Sequence, residues 1–123
     1  MAKTKYKTTV LYLGELASEF IDESIMVFFG KEAPEELHEH AVVHEETTGL
    51  DGEVAVGDTV IIDGQSYPVL AVGAVANKNL ASMGHLVLKF NGLEEPEMEG
   101  DVCLPEVELP AVETGSVIEI QGK

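Results

Sequence analysis

Tryptophan is absent, cysteine occurs once, and only 7 of 123 residues are basic. Each scarcity excludes something. The single cysteine, Cys103, cannot form an internal disulfide and supplies no C-x-x-C metal site. With 7 basic against 23 acidic side chains, the formal net charge is −16. The phosphate backbone of nucleic acid would repel such a chain, and so would an anionic membrane surface. The longest apolar run, Ile25 to Phe29, has five residues, against the roughly 20 needed to span a bilayer. No direct membrane insertion is expected. The opening MAKTKYKTTV is polar and basic and lacks the apolar stretch of a signal peptide, so a cytoplasmic location is expected.

What is present reads as a folded protein. Hydrophobic residues make up 45% of the chain, too many for a disordered acidic tail. The length fits one domain, 1–123, able to fold without a disulfide or a metal. The acidic excess serves solubility or attraction to a basic partner protein, and charge alone does not choose between them.

Short β-type runs separated by turn signals dominate the chain. They cover Tyr6–Leu13, Ser24–Phe29, Ala41–His44, Thr59–Ile62, Ser66–Val72, His85–Phe90, Asp101–Leu104 and Ser116–Ile120. Asp63-Gly64 sits between two of these runs and predicts a type I′ hairpin, which needs positive φ at both central residues. Asn91-Gly92 reads as a second such turn. Helix signals are few. Asn77–Met83 predicts two turns, with Asn77 as N-cap and Gly84 just past the C-terminus. Pro34–His40 predicts one turn opened by Pro34 at its first position, and Glu15–Glu23 is a further candidate. Glu94–Glu99 and Pro105–Glu113 read as loops or edge strands, because proline cannot donate to a ladder. The expected fold class is all-β: a small closed or partly open β-barrel with one or two short helices.

Four histidines carry the candidate chemistry. His38, His40 and His44 cluster in HEHAVVHEE, and His85 follows Gly84. Three imidazoles could hold zinc, nickel or iron, and on a strand positions 38, 40 and 44 would share a face. A small metal-binding β-barrel using these three and His85 is therefore one reading. The plainer one makes His38 and His40 solvated residues of an acidic loop. A second chemical option is a nucleophilic histidine, since imidazole is largely neutral at pH 7 and can attack phosphorus. His44 ends the run Ala41-Val42-Val43, which would fix its backbone while the ring projects at a rim. A satisfied structural histidine fits the same residues. No G-x-S-x-G elbow, P-loop or G-x-G-x-x-G occurs. Cys103, between Val102 and Leu104, looks like a buried thiol.

Several unusual residues then occur in a fixed order. Ala33-Pro34 precedes His44 by some ten positions. Tyr67-Pro68, Gly73, Asn79-Leu80, Gly84-His85 and Asn91-Gly92-Leu93 follow, and Gly115-Ser116-Val117 closes the series. In these the chain resembles the glucitol/sorbitol-specific IIA components of the bacterial phosphoenolpyruvate-dependent sugar phosphotransferase system. The resemblance implies a phosphocarrier. Such a protein takes a phosphoryl group from HPr onto a histidine. It passes the group to the cysteine of the IIB domain of a membrane permease (IIB/IIC), with which it associates transiently. The acceptor falls on His44, and no organic cofactor is implied. Some relatives carry a second histidine where this chain has Glu46. For a dianionic phosphoryl group, Glu45 and Glu46 are expected to point away from the site. His85, at the start of a strand, is expected near His44 as a phosphate-stabilising or orienting partner.

Overall fold

The structure is a computed structural model that describes residues 3–122. Its strands are β1 (Lys3–Leu13), β2 (Ile25–Gly30), β3 (Val42–Thr48), β4 (Thr59–Ile62), β5 (Gln65–Pro68), β6 (Ala71–Val72), β7 (Leu86–Phe90), β8 (Asp101–Leu104) and β9 (Val117–Gly122). Helix α1 spans Ala17–Ile21 and helix α2 spans Ala76–Met83. All nine strands join one sheet in the order β5-β4-β9-β1-β3-β2-β7-β8-β6. The two edge strands are consecutive in the chain, separated only by Val69 and Leu70. A sheet whose edges are that close must curl, and the result is the expected partly open barrel.

Burial alternates along β1, β4 and β9 and follows the period of two. Tyr6, Thr8 and Val10 of β1 face inward, as do Val60 and Ile62 of β4 and Ile118 and Ile120 of β9. They meet Met26, Phe28, Leu86, Leu88 and Phe90 in one core, which Ala76 and Leu80 of α2 cover. All eight expected runs form strands, and Ser66–Val72 divides into β5 and β6. The Asp63-Gly64 turn is of type I′, with φ of 46° and 88°.

Three local expectations are corrected. Asn91-Gly92 closes no hairpin, because β7 and β8 pair in parallel, as do β2 and β3. Asn91 instead accepts the Leu93 N–H through its own side chain. Parallel pairing was hidden in the burial pattern: every residue of β8 is buried, and so are Val42, Val43 and His44 of β3. Asn77 is not the N-cap of α2, which starts after Val75. Its amide grips the backbone of Val54 instead, accepting from N–H at 2.7 Å and donating to C=O at 3.0 Å. Pro34 precedes the single 3₁₀ turn Glu35–Leu37 as its N-cap rather than occupying its first position.

Candidate active site

β3 lies between β1 and β2, and this fixes the place of His44. Val10 of β1 stands opposite it on one side and Gly30 of β2 on the other. The expected rim position is corrected: His44 is only 1% exposed. A strand paired on both sides, with aromatic rings on its inner face, leaves the imidazole no route to bulk solvent through its edges. Phe28 and Tyr6 meet it edge-on, with ring centroids 5.7 and 6.3 Å away.

Both ring nitrogens are engaged. Nε2 lies 2.6 Å from the Gly84 carbonyl oxygen and Nδ1 lies 2.5 Å from Thr8 Oγ1. A carbonyl can only accept, so Nε2 carries the proton. Nδ1 of the neutral ring then holds the lone pair and accepts from the Thr8 hydroxyl. Burial holds the His44 pKa below its ordinary 6.5, opposed in part by the Gly84 carbonyl and the Glu46 carboxylate. The ring is thus a neutral imidazole with one defined nucleophilic nitrogen.

Gly84 reaches His44 for two reasons. It takes φ +62° to end α2, a conformation that favours glycine. It also packs where a Cβ would stand 2.9 Å from Gly30 N and 3.1 Å from His44 Nε2. The helix end and β2 can converge on the imidazole only because both residues there are glycines.

His44 opens onto a cavity of about 500 Å³. Tyr6, the segment Gly30–Ala33, Glu45, Glu46 and the end of α2 line it. Neither Glu45 nor Glu46 is clear of this cavity, contrary to expectation. Glu45 pairs with Lys31 at 3.1 Å. Glu46 sits two residues beyond His44 on the same side of β3, and its charge acts on both His44 and Tyr6. Among the described lining residues Lys31 is the only cation.

The other histidines go elsewhere. His85 stacks on Phe29, with centroids 4.2 Å apart and planes 10° from parallel, and its Nδ1 lies 3.2 Å from the Phe28 carbonyl. Its ring is not part of the cavity lining, but its backbone follows the Gly84 carbonyl that holds His44. His38 is not solvated: it is 8% exposed, with Nδ1 2.9 Å from the Tyr12 hydroxyl and Nε2 3.2 Å from the Gly30 carbonyl. His40 lies on the outside against Phe20, 4.0 Å from Glu19. Among the described residues, no three His, Cys, Asp or Glu side chains come together to hold a metal ion. The metal reading required His38, His40 and His44 to converge, and each has different partners. Cys103 is buried, and burial raises its pKa.

Sequence reasoning missed Tyr6, Thr8 and Gly84 as site residues. One signal was available for Thr8, a polar residue at an inward position of an alternating strand.

The chain matches known proteins along nearly its full length. Residues 5–119 match the family described as PTS system glucitol/sorbitol-specific IIA component. The chain is 32% identical over 117 residues to the glucitol/sorbitol-specific EIIA components of Shigella flexneri and Escherichia coli strain K12, covering 95% of this chain and 94% of each of theirs. The crystal structure of a PTS system IIA component from Enterococcus faecalis V583 has the same fold, with a TM-score of 0.75 and 29% identity over 91% of this chain and 96% of that one. Fold and matches together define a IIA component of a sugar phosphotransferase system. Within that class, the chain belongs to the glucitol/sorbitol-specific IIA family. Among the described residues, no helix is long and apolar enough to cross a membrane.

Proposed function

We propose that the chain acts as a single cytoplasmic phosphocarrier domain. It takes a phosphoryl group from phospho-HPr onto His44 and delivers it to the IIB domain of a glucitol/sorbitol permease. The observation that carries this reading is the state of His44: a buried, neutral imidazole, fixed in one tautomer, on the wall of an open cavity.

The chemistry follows from that tautomer. The Nδ1 lone pair forms a bond to phosphorus as the bond between phosphorus and the donor histidine breaks. The electron pair leaves with the donor imidazole. Thr8 releases Nδ1 and turns its hydroxyl to a phosphoryl oxygen. The proton stays on Nε2, donated in the hydrogen bond to the Gly84 carbonyl, so the phosphorylated ring carries positive charge. A cationic imidazole is a good leaving group, which suits onward transfer. His85 serves as the orienting partner: its Nδ1–H to the Phe28 carbonyl fixes the turn that presents Gly84 O.

The surroundings favour passing the group on. Glu45 and Glu46 border the cavity, and a dianionic phosphoryl group there meets like charge. Lys31 answers in part, although its pairing with Glu45 is half exposed and contributes little. Cations supplied by a docked partner complete the balance, and the −16 charge draws such a partner in.

The test is incubation with phosphoenolpyruvate, Enzyme I and HPr, followed by intact mass. The wild type gains one phosphoryl group, and the linkage is labile in acid and stable in base. His44→Gln gains none. No gain by the wild type, or a retained gain in His44→Gln, overturns the reading.

A further inference from the structure

Tyr6 is 1% exposed, and among the described residues its hydroxyl has no hydrogen-bond partner. Buried polar groups nearly always have one. Phenylalanine would fill the same space without stranding an oxygen, so the hydroxyl does nothing for the resting fold. Thr8 and Glu46 are polar neighbours close enough to act on it, but neither stands in hydrogen-bonding geometry to its oxygen. Tyr6 also lines the cavity at His44 and meets the imidazole edge-on.

We propose that the Tyr6 hydroxyl is a hydrogen-bond donor held ready for the phosphoryl group on His44. Tyr6 and Thr8 are two residues apart on the inward face of β1; Thr8 meets Nδ1, and the Tyr6 ring stands edge-on to the same imidazole. A phosphoryl group on Nδ1 places its oxygens among them. Burial, and then the Glu46 charge, push the Tyr6 pKa far up, so the group stays protonated and donates at any physiological pH. Glu46 can only accept, and Thr8 has one proton to give. Tyr6 therefore supplies a second hydroxyl donor from β1, beside that of Thr8. A donor already in place needs no reorganisation when charge arrives.

This inference rests on His44 as the phosphoryl acceptor, and the experiment separates the two. Phosphorylation by phospho-HPr is timed for the wild type and for Tyr6→Phe, with thermal unfolding of both. Tyr6→Phe should melt at the wild-type temperature or above it, because only an unsatisfied hydroxyl is lost. Its kcat should fall about 100- to 1000-fold, the effect of removing one well-placed donor, while KM for phospho-HPr stays within about two-fold. A folded Tyr6→Phe that is phosphorylated at the wild-type rate overturns the Tyr6 proposal and leaves the carrier reading standing. Failure of the wild type to take up phosphate overturns both. If Tyr6→Phe does not fold, protein labelled with 3-fluorotyrosine decides. Tyr12→Phe and Tyr67→Phe assign the ¹⁹F signals by elimination. On phosphorylation the Tyr6 signal should move and the Tyr67 signal should not; a Tyr6 signal that stays in place overturns the proposal.

Discussion

Gly84→Ala tests the geometry of the site through stability. Two costs arise, and a control separates them. The first is conformational: φ at Gly84 is +62°, and a side chain in the left-handed region costs about 1–2 kcal/mol. The second is steric. The added Cβ would stand 2.9 Å from Gly30 N, 3.0 Å from Gly30 Cα and 3.1 Å from His44 Nε2. Two of these atoms are backbone of a paired strand and the third belongs to a ring bonded on both sides, so none can retreat freely. Overpacking of this kind costs about 1–3 kcal/mol. The total is roughly 2–5 kcal/mol. Gly64→Ala is the control, because Gly64 has φ +88° and nothing within 4 Å of its would-be Cβ. It carries the conformational cost alone. Any gain from stiffening the unfolded chain is common to both variants and cancels in the difference. At about 3–5 °C per kcal/mol for a domain of this size, Gly84→Ala should melt roughly 3–15 °C below Gly64→Ala. Differential scanning calorimetry at one pH and protein concentration measures this. Equal melting temperatures would show that α2, β2 and His44 do not converge as described.

Other expectations follow from single features. Burial holds the His44 pKa below 6.5. Between that folded value and 6.5 the unfolded chain binds more protons, so this group's stabilisation is complete above about pH 6.5 and shrinks as pH falls below it. The melting temperature of the wild type should therefore drop more steeply below pH 6.5 than that of His44→Gln; parallel profiles would contradict the assignment. Asn77→Ala removes both bonds to the Val54 backbone. It should cost about 1–3 kcal/mol and speed proteolysis within residues 49–58, and an unchanged denaturant midpoint would refute the clamp. Gly64→Val should cost about 1 kcal/mol or more, since a β-branched residue resists positive φ; chemical denaturation measures it, and unchanged stability would count against the type I′ turn.

The parts of the structure that local physics determines were legible in the sequence. Every expected strand forms, because β-branched and aromatic runs bounded by Gly, Asp or Asn have few other uses. Asp63-Gly64 adopts the predicted φ pair, and Gly84 ends α2 in the predicted left-handed conformation. Strand partners were not legible. Asn91-Gly92 carries the same turn signal as Asp63-Gly64, yet the following strand runs parallel to the one before it. A dipeptide states that the chain can turn, not where it goes next. The continuous burial that marks β8 as a parallel strand appears only once its neighbours are known.

The site follows the same division. In the sequence, Ala41-Val42-Val43 followed by His44 looks like a strand ending at a rim, because a histidine after an apolar run resembles its edge. The buried face continues through His44 because β1 and β2 flank it on both sides. Thr8 reaches Nδ1 along a diagonal: it stands opposite Glu46, and His44 is two residues away on the same face of β3. That register, with its irregularity between Lys7 and Thr8, is set by pairings 29 to 41 residues apart, beyond the reach of any local sequence signal. What the sequence does carry is the anomaly. An inward row of Tyr6, Thr8 and Val10 places two hydroxyls where a barrel core calls for hydrocarbon, and a buried hydroxyl is stable only with a partner. Thr8 finds its partner in His44. Tyr6 has none among the described residues, so along this row the unmet polar group stands beside the imidazole proposed to take the phosphoryl group.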